Sequence, residues 1–543
     1  MLKKKVSLKN ICYLTGFILL TFLAVDFIIA ALFLLLNIGI NSWVIMMSSA
    51  ITVVAGWYFS VNRNGFSKSE FCIAIAVALF IVLISCNICG SYYDNSYDGN
   101  AYHKLAIGNL KNSWNPVFES ADEFAARTQL ELSENTQAIW IDHYAKGSWI
   151  FGASVYAVSN NIEMGKSINI IFVFILFFFL IDYLLSRQLK IWQALLIAIG
   201  CSINPIMFVQ LMTFYVDDIL GNSLLLIILC LIALADKNYT RNQILQYLTL
   251  AMAIIICSNI KFTGLVYAGF FCLAFYIGKL IHIYFVQRQK LKSYLIKNTL
   301  YYVIVVIIAV GLVGSNSYIK NLIDHNNPFY PLMGDGKVDI ISGFQPDEFE
   351  SMNPYKKFAL MLFSYTENTT KEEVRLKIPF STKPSEFEMR DPDIRRGGWG
   401  PYFSAIFIIT CIIYVLRLAS FWKKDKKRFS IGIQLLIPAF LLIGLADGSW
   451  WARYSPYIFA FSGAAMTIIF ESANQNLERM NVEAKNVIQD MKQADKVYCR
   501  LIDTSYGGIV YNLVDSEINY IFADKDYNDK LIIFKLEYEI EGN

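Results

Sequence analysis

Apolar residues in this chain come in long unbroken blocks separated by short polar turns, and about twelve blocks approach the ~20 residues a helix needs to cross a bilayer. In the first half they run roughly from Cys12 to Leu36, Trp43 to Ser60, Phe71 to Cys89, Ser167 to Leu185, Ile191 to Gln210 and Ile219 to Ala235. The second half adds Gln243 to Ser258, Thr263 to Phe285, Thr299 to Ser315, Tyr402 to Leu416, Ile431 to Ala446 and Ser455 to Phe470. None alternates polar and apolar positions as a barrel strand does, so helices are the expected crossing element. The expected fold class is an all-α polytopic membrane protein with about twelve transmembrane helices, two long outer loops and a small α/β C-terminal appendage.

Short loops rich in Lys and Arg stay on the cytoplasmic side. Lys3, Lys4, Lys5 and Lys9 therefore place the N-terminus inside. Counting forward puts Arg63 with Lys68, Arg187 with Lys190, Lys237 with Arg241, the Arg288–Lys297 group and the Lys423–Arg428 run on that side too. The first block is too long for a signal-peptide core and lacks a small-residue cleavage site, so a retained anchor is expected. Composition agrees: with 56% hydrophobic and 17% charged residues and a mean hydropathy of +0.44, a soluble interior has no room for this much apolar surface. The net charge of +3 is what basic inner loops leave behind, and no nucleic-acid partner is expected. Of ten cysteines most lie in apolar blocks and none in the long outer loops, which excludes a disulfide framework there. Cys86 and Cys89 form a C-x-x-C without a second pair, which points to helix packing rather than metal.

Two segments interrupt the tight helix spacing. The expected membrane domain covers residues 1–470, with outer loops at about 90–166 and 318–401, and residues 471–543 form the tail. The first loop closes on Asp142-His143-Tyr144-Ala145-Lys146-Gly147, followed by Trp149 to Ser159, which is too short to span and suits an interfacial or re-entrant helix. In the second, Asp324-His325-Asn326-Asn327-Pro328-Phe329-Tyr330-Pro331 favours a turn-rich loop, and the charged stretch from Phe344 to Pro392 suits short helices. After Phe470 a polar helix from Glu471 to Lys496 is expected, then strand-like runs at Val497 to Ile502, Gly508 to Leu513, Ile518 to Phe522 and Leu531 to Leu536. With twelve crossings the tail lies in the cytoplasm.

Charges beside membrane spans usually have a reason to be there. Asp98, in Asp-Gly-Asn-Ala-Tyr-His103, has two roles open to it: an ordinary N-cap, or a general base taking the proton of an attacking hydroxyl at a protected boundary. Asp94 is its neighbour and substitute. His103 either steadies a phosphate or faces water. Asp217 and Asp218 occupy the short turn before the sixth block; either they cap a solvated turn, or one points into the same cavity as Asp98 and orients acceptor or a divalent metal. Three cations defy the inward bias: Lys261 within a long apolar stretch, Arg453 in Asp447-Gly-Ser-Trp-Trp-Ala-Arg-Tyr-Ser-Pro456, and Lys146. Each alone suits snorkelling; together, beside His325, they suit a receptor for an anionic headgroup.

These residues resemble the bacterial membrane glycosyltransferases of the C superfamily, polytopic enzymes that include protein mannosyltransferases and the aminoarabinose transferase acting on lipid A. The likeness rests on Asp98 with Tyr102-His103, His143-Tyr-Ala-Lys-Gly147, Asn327-Pro-Phe-Tyr-Pro331 and Arg453-Tyr-Ser-Pro456, and covers the membrane part through about Phe470. The resemblance implies a polyprenyl-phosphate sugar donor, an outer-loop carboxylate as base, matched here by Asp98, and inversion at the anomeric carbon. Substrate contacts are then expected from Tyr102, His103, His143, Lys146, Asp217, Asp218, Lys261, His325 and Arg453. Here the loop follows the third span, where better-known members place it after the first. The expected function is transfer of a sugar to an envelope glycan or lipid acceptor on the outer face of a bacterial inner membrane. The rivals are a flippase or carrier for lipid-linked sugars, which needs no base, and a glycan polymerase or ligase.

Overall fold

Eleven helices among the described residues are long and apolar enough to cross a membrane, and the chain is a multi-pass membrane protein. They are Leu8–Leu35, Ser42–Asn62, Lys68–Gly90, Ile162–Ser186, Asp217–Ala235, Gln243–Ile260, Phe262–Val286, Arg288–Asn316, Phe403–Lys424, Lys426–Leu445 and Pro456–Gln493. The computed structural model describes residues 6–128, 137–389, 391–502, 509–523, 525–531 and 536–541. It forms two units, Met1–Ala465 and Met466–Asn543.

Local chemistry sets the helix ends. Ser67 and Glu70 cap the third helix reciprocally, Glu70 N–H donating to the Ser67 hydroxyl at 3.1 Å and Ser67 N–H to the Glu70 carboxylate at 2.9 Å. Asn41 and Asn242 accept from the N–H groups of Trp43 and Ile244 at the starts of their helices. The block from Ile191 to Gln210, expected as one helix, is broken into Ile191–Ser202 and Pro205–Gln210. Pro205 has no N–H to donate and keeps the residue before it out of helical backbone. Asn204 is accordingly extended, and its side chain caps the new turn by accepting from Ile206 and Met207.

The broken pair still carries the chain across. Asn169, in the first turn of its helix, donates to the carbonyls of Gln210 and Thr213 at 3.2 and 2.9 Å. At the other end Arg187 pairs with Asp236 at 2.8 Å. The Ser167–Ser186 and Asp217–Ala235 helices therefore run parallel, and parallel neighbours require a return crossing between them. Counting that return, the described residues hold twelve candidate crossings.

The short helix Gly147–Ser159 is buried from Gly147 to Val155 against the first helix and Lys104–Lys111, inside the protein rather than flat on a bilayer surface. A Cβ at Gly147 would strike the Phe27 ring and the Asn259 carbonyl, so this approach needs glycine. In the charged stretch of the second long segment, short helices form at Asp347–Ser351, Pro354–Leu362 and Pro384–Glu388.

In the second unit β1 (Val497–Leu501), β2 (Tyr520–Phe522), β3 (Asp529–Leu531) and β4 (Leu536–Ile540) form one sheet in the order β2-β1-β4-β3. Val497, Cys499, Leu531 and Leu536 are buried in its core. The run from Gly508 to Leu513, expected as a strand, is instead the helix Ile509–Asp515 from its second residue on; Gly508 lies outside the described residues. The reason is topological: β1 and β2 are parallel, so the chain must cross over between them, and a helix makes the crossover. Of the expected strand from Leu531 to Leu536 only the ends are described: Leu531 lies in β3 and Leu536 in β4, paired antiparallel with each other, and residues 532–535 lie outside the described residues. The expected polar helix after Phe470 continues the preceding span as one helix, Phe459–Gln493.

Candidate functional site

Beyond the Lys68–Gly90 helix the chain turns on Asp94. Its carboxylate accepts from the Ser96 N–H and hydroxyl, both at 2.8 Å, and from the Phe214 N–H at 3.0 Å. Both Asp94 oxygens are thereby committed to holding the turn. The following Gly99–His103 is a π-type turn, and Asp98 immediately before it makes no capping bond. Freed of a cap role, Asp98 faces Arg453, with Oδ2 3.6 Å from Nη1.

Arg453 is a hub. The same Nη1 lies 3.6 Å from Asp217 Oδ2 and 3.2 Å from Asp393 Oδ1. Lys261 sits at the break between two spans, where its extended backbone ends one helix and starts the next. Its Nζ lies 2.5 Å from Asp217 Oδ1. Arg395 stands 3.5 Å from Asp393. Aromatic faces line the cations: Arg453 lies over Trp451, and Lys261 over Tyr454, both at 4.4 Å. Two side chains fix Asp393 from either side. Gln210 donates to the Pro392 carbonyl at 2.9 Å, and the Trp451 indole donates to the Ile394 carbonyl at 3.0 Å.

The structure thus brings Asp98, Asp217, Lys261 and Arg453 together and leaves other expected site residues outside that cluster. Lys146 does not join the two cations: it is fully buried and donates to the carbonyls of Asp142, Tyr144 and Asn316 at 2.8, 3.0 and 3.3 Å. Burial lowers its pKa to about 7. His143 and His325 meet each other, with ring centres 4.7 Å apart, and His325 stacks on Tyr330 at 3.7 Å. Asn321 fastens this group by donating to the His143 and Tyr330 carbonyls, so the two long segments are tied together there. Asp218, like Asp217, is buried rather than in a solvated turn; it accepts from the Ile219 N–H at 2.6 Å. His103 neither faces water nor stands free: it is buried, accepts from the Trp149 indole through Nδ1 at 2.6 Å, and packs on Tyr102 at 4.3 Å. Burial pushes its pKa down to about 3, which keeps it neutral. Tyr102 reaches Asp98 with its hydroxyl.

Asp98 is the most open of the three hub carboxylates, with a side chain 21% exposed against 15% for Asp393 and 2% for Asp217. Burial raises its pKa, while the Arg453 guanidinium pulls it back. Asp393 is pushed up to about 6 by burial, against the same guanidinium. Between its ordinary 3.8 and about 6 the folded protein holds a proton that the unfolded chain has released, so this group withdraws stability as pH rises through that window. Melting temperatures of wild type and Asp393→Asn should accordingly converge at acid pH and diverge toward neutrality, wild type falling relative to the variant. Parallel curves would show that Asp393 does not titrate there.

Asp393, Arg395, Gln210, Trp451 and Tyr454 were not foreseen as site residues. Asp393 lies just past a stretch dense in charge, where one more acid carries no signal; Trp451 and Tyr454 flank Arg453, and that adjacency was the available clue. Among the described residues no three histidine, cysteine, aspartate or glutamate side chains group as metal ligands; the three hub carboxylates surround a guanidinium. The ten cysteines are free, Cys86 resting 3.4 Å from the Ser167 hydroxyl. No family model matches this chain, and no curated protein or solved structure is detectably similar to it.

Proposed function

We propose that the protein is an inverting glycosyltransferase of a bacterial inner membrane, moving a sugar from a polyprenyl phosphate to an envelope glycan or lipid on the outer face. The observation that supports this reading is the loose hold on Arg453. Its three carboxylate contacts, at 3.2 to 3.6 Å, all exceed the ~2.7–2.9 Å of a charge-assisted hydrogen bond, and its buried Nε has no partner. A phosphate offers better-matched oxygens to the guanidinium, with Lys261 adding a second charge. When phosphate takes Arg453, Asp98 is released as an ionised carboxylate beside the place where an acceptor hydroxyl arrives. The hydroxyl oxygen bonds to the anomeric carbon as the bond from that carbon to the phosphate oxygen breaks. The proton passes to Asp98, and the polyprenyl phosphate departs with the electron pair. A burial-raised pKa makes Asp98 the stronger acceptor for that proton.

Mass analysis of envelope glycans from cells with and without the protein tests the reading. Deletion should remove one sugar per acceptor, and wild type should restore it. An identical glycan profile on deletion, with all lipid-linked sugars still consumed, defeats the proposal.

A further inference from the structure

Deep in the first helix, away from the Arg453 hub, stands a second carboxyl with no charge to balance it. Asp26 has no exposed surface. Three helices meet around it: Leu8–Leu35, which carries it, Ser42–Trp57 and Gly147–Ser159. The Ser48 hydroxyl, whose proton is also within reach of the Val44 carbonyl at 2.7 Å, lies 3.5 Å from Asp26 Oδ1. The Ser154 hydroxyl faces the carboxyl from the third helix. Asp26 Oδ2, Ser154 Oγ and, one turn beyond Ser48, Thr52 Oγ1 are buried without hydrogen-bond partners.

Among the described residues no cation forms an ion pair with Asp26; on the helix that carries Ser154, Lys111 lies over Tyr156 and Lys146 over Trp149. Neither Ser42–Trp57, Gly147–Ser159 nor Gln243–Ile260, all packed on the first helix, contains a charged residue. Lys9 sits at the far start of the first helix, about 25 Å away along its axis. Lys68 lies over Trp57, Glu70 bonds Ser7 and Asn10, and Asp182 pairs with Arg241 at 2.5 Å. An ionised carboxylate cannot persist in such surroundings uncompensated; it is neutralised or it holds a counter-ion.

We propose that Asp26, Ser48 and Ser154 form a binding site for one monovalent cation taken from solution, a proton or a sodium ion. The cation supplies the positive charge that Asp26 lacks and gives its orphaned oxygen a partner. This site shares no residue with the Arg453 hub and stands or falls separately from the glycosyltransferase reading.

Thermal unfolding of the purified full-length protein tests it, in sodium chloride and in choline chloride at equal ionic strength, from neutral to alkaline pH. If sodium is the occupant, the melting temperature rises with sodium and not with choline. If a proton is, the melting temperature falls as pH rises, with no sodium effect, since the folded state alone holds the proton. In either case Asp26→Asn should lose the dependence, and Ser154→Ala should shift its midpoint. Equal sodium and pH responses in wild type and Asp26→Asn would overturn the site. Should Asp26→Asn fail to fold, infrared difference spectra of the wild type decide: a protonated-carboxyl band lost at alkaline pH, or a carboxylate band shifted by sodium, is expected, and the absence of both refutes the proposal.

Discussion

An Asp98→Asn protein should insert, fold and bind a lipid-phosphate sugar, yet transfer that sugar about 10² to 10⁴ times more slowly than wild type, the usual worth of a general base. Asparagine keeps the size of the side chain and an oxygen for the Tyr102 hydroxyl, and Asp98 caps no helix that the change would unravel. Arg453 keeps Asp217 and Asp393, so the hub survives the loss of one negative charge. What disappears is the ability to accept a proton. Because phosphate is a good leaving group once cations neutralise it, no second, protonated acid is needed, and the whole penalty falls on this one step. The measurement is turnover at saturating donor, beside a melting curve that certifies the fold. Near-normal turnover in a well-folded variant would move the base to Asp393, the next most open carboxylate. Transport of a lipid-linked sugar without any transfer would favour the carrier.

Arg453→Ala should be the most disruptive single change at the site. It leaves Asp98, Asp217 and Asp393 around an empty volume, with Lys261 still balancing Asp217 and Arg395 still near Asp393, while Asp98 keeps no cation among its ion pairs. Removing one partner of a buried charge group costs roughly 3–5 kcal/mol, a large part of the ~5–15 kcal/mol that holds a typical protein folded. Independently, each charge-assisted bond to phosphate is worth about 1.5–3 kcal/mol, so donor affinity should fall about tenfold to a hundredfold. Arg453→Lys separates the two effects. A single ammonium restores part of the charge balance and hence of the melting temperature, but without a planar fork it recovers less donor affinity. An Arg453→Ala protein that melts and binds donor like wild type would show that the hub is incidental.

The membrane spans were legible because apolar length is a one-dimensional signal, and eleven of the blocks survive as long helices. The same logic exposed Lys261 within an apolar stretch, and placed Asp98 and Arg453 beside spans on the expected outer side. Lys146 stands out equally, but its three carbonyl partners come from Asp142, Tyr144 and the distant Asn316, and that folding of backbone around an ammonium leaves no mark on the sequence. Asp393 fails for the opposite reason: in a charged segment nothing distinguishes the acid that folds back to Arg453 from those that stay in water. The strand expected from Gly508 shows the limit for short apolar runs, whose period fits strand or helix until the parallel pairing of its neighbours decides.

The Asn204-Pro205 interruption bears on how such a protein is made. Twelve residues of helix, then an extended step, then six more, are too short in either piece to be held in a bilayer by their own hydrophobicity. Of the carbonyls freed at the step, that of Cys201 accepts from the Asn204 side chain and that of Ser202 from Asn222 on the Asp217–Ala235 helix. This crossing therefore enters the membrane as half of a hairpin, with Ser167–Ser186 behind it or Asp217–Ala235 ahead. Gln210 and Asp217, at the mouth of that hairpin, reach their places only after later segments bring Lys261, Pro392 and Arg453 to them. During synthesis the site is thus among the last parts of the bundle to exist, closed by residues that leave the ribosome after most of the crossings are already in place.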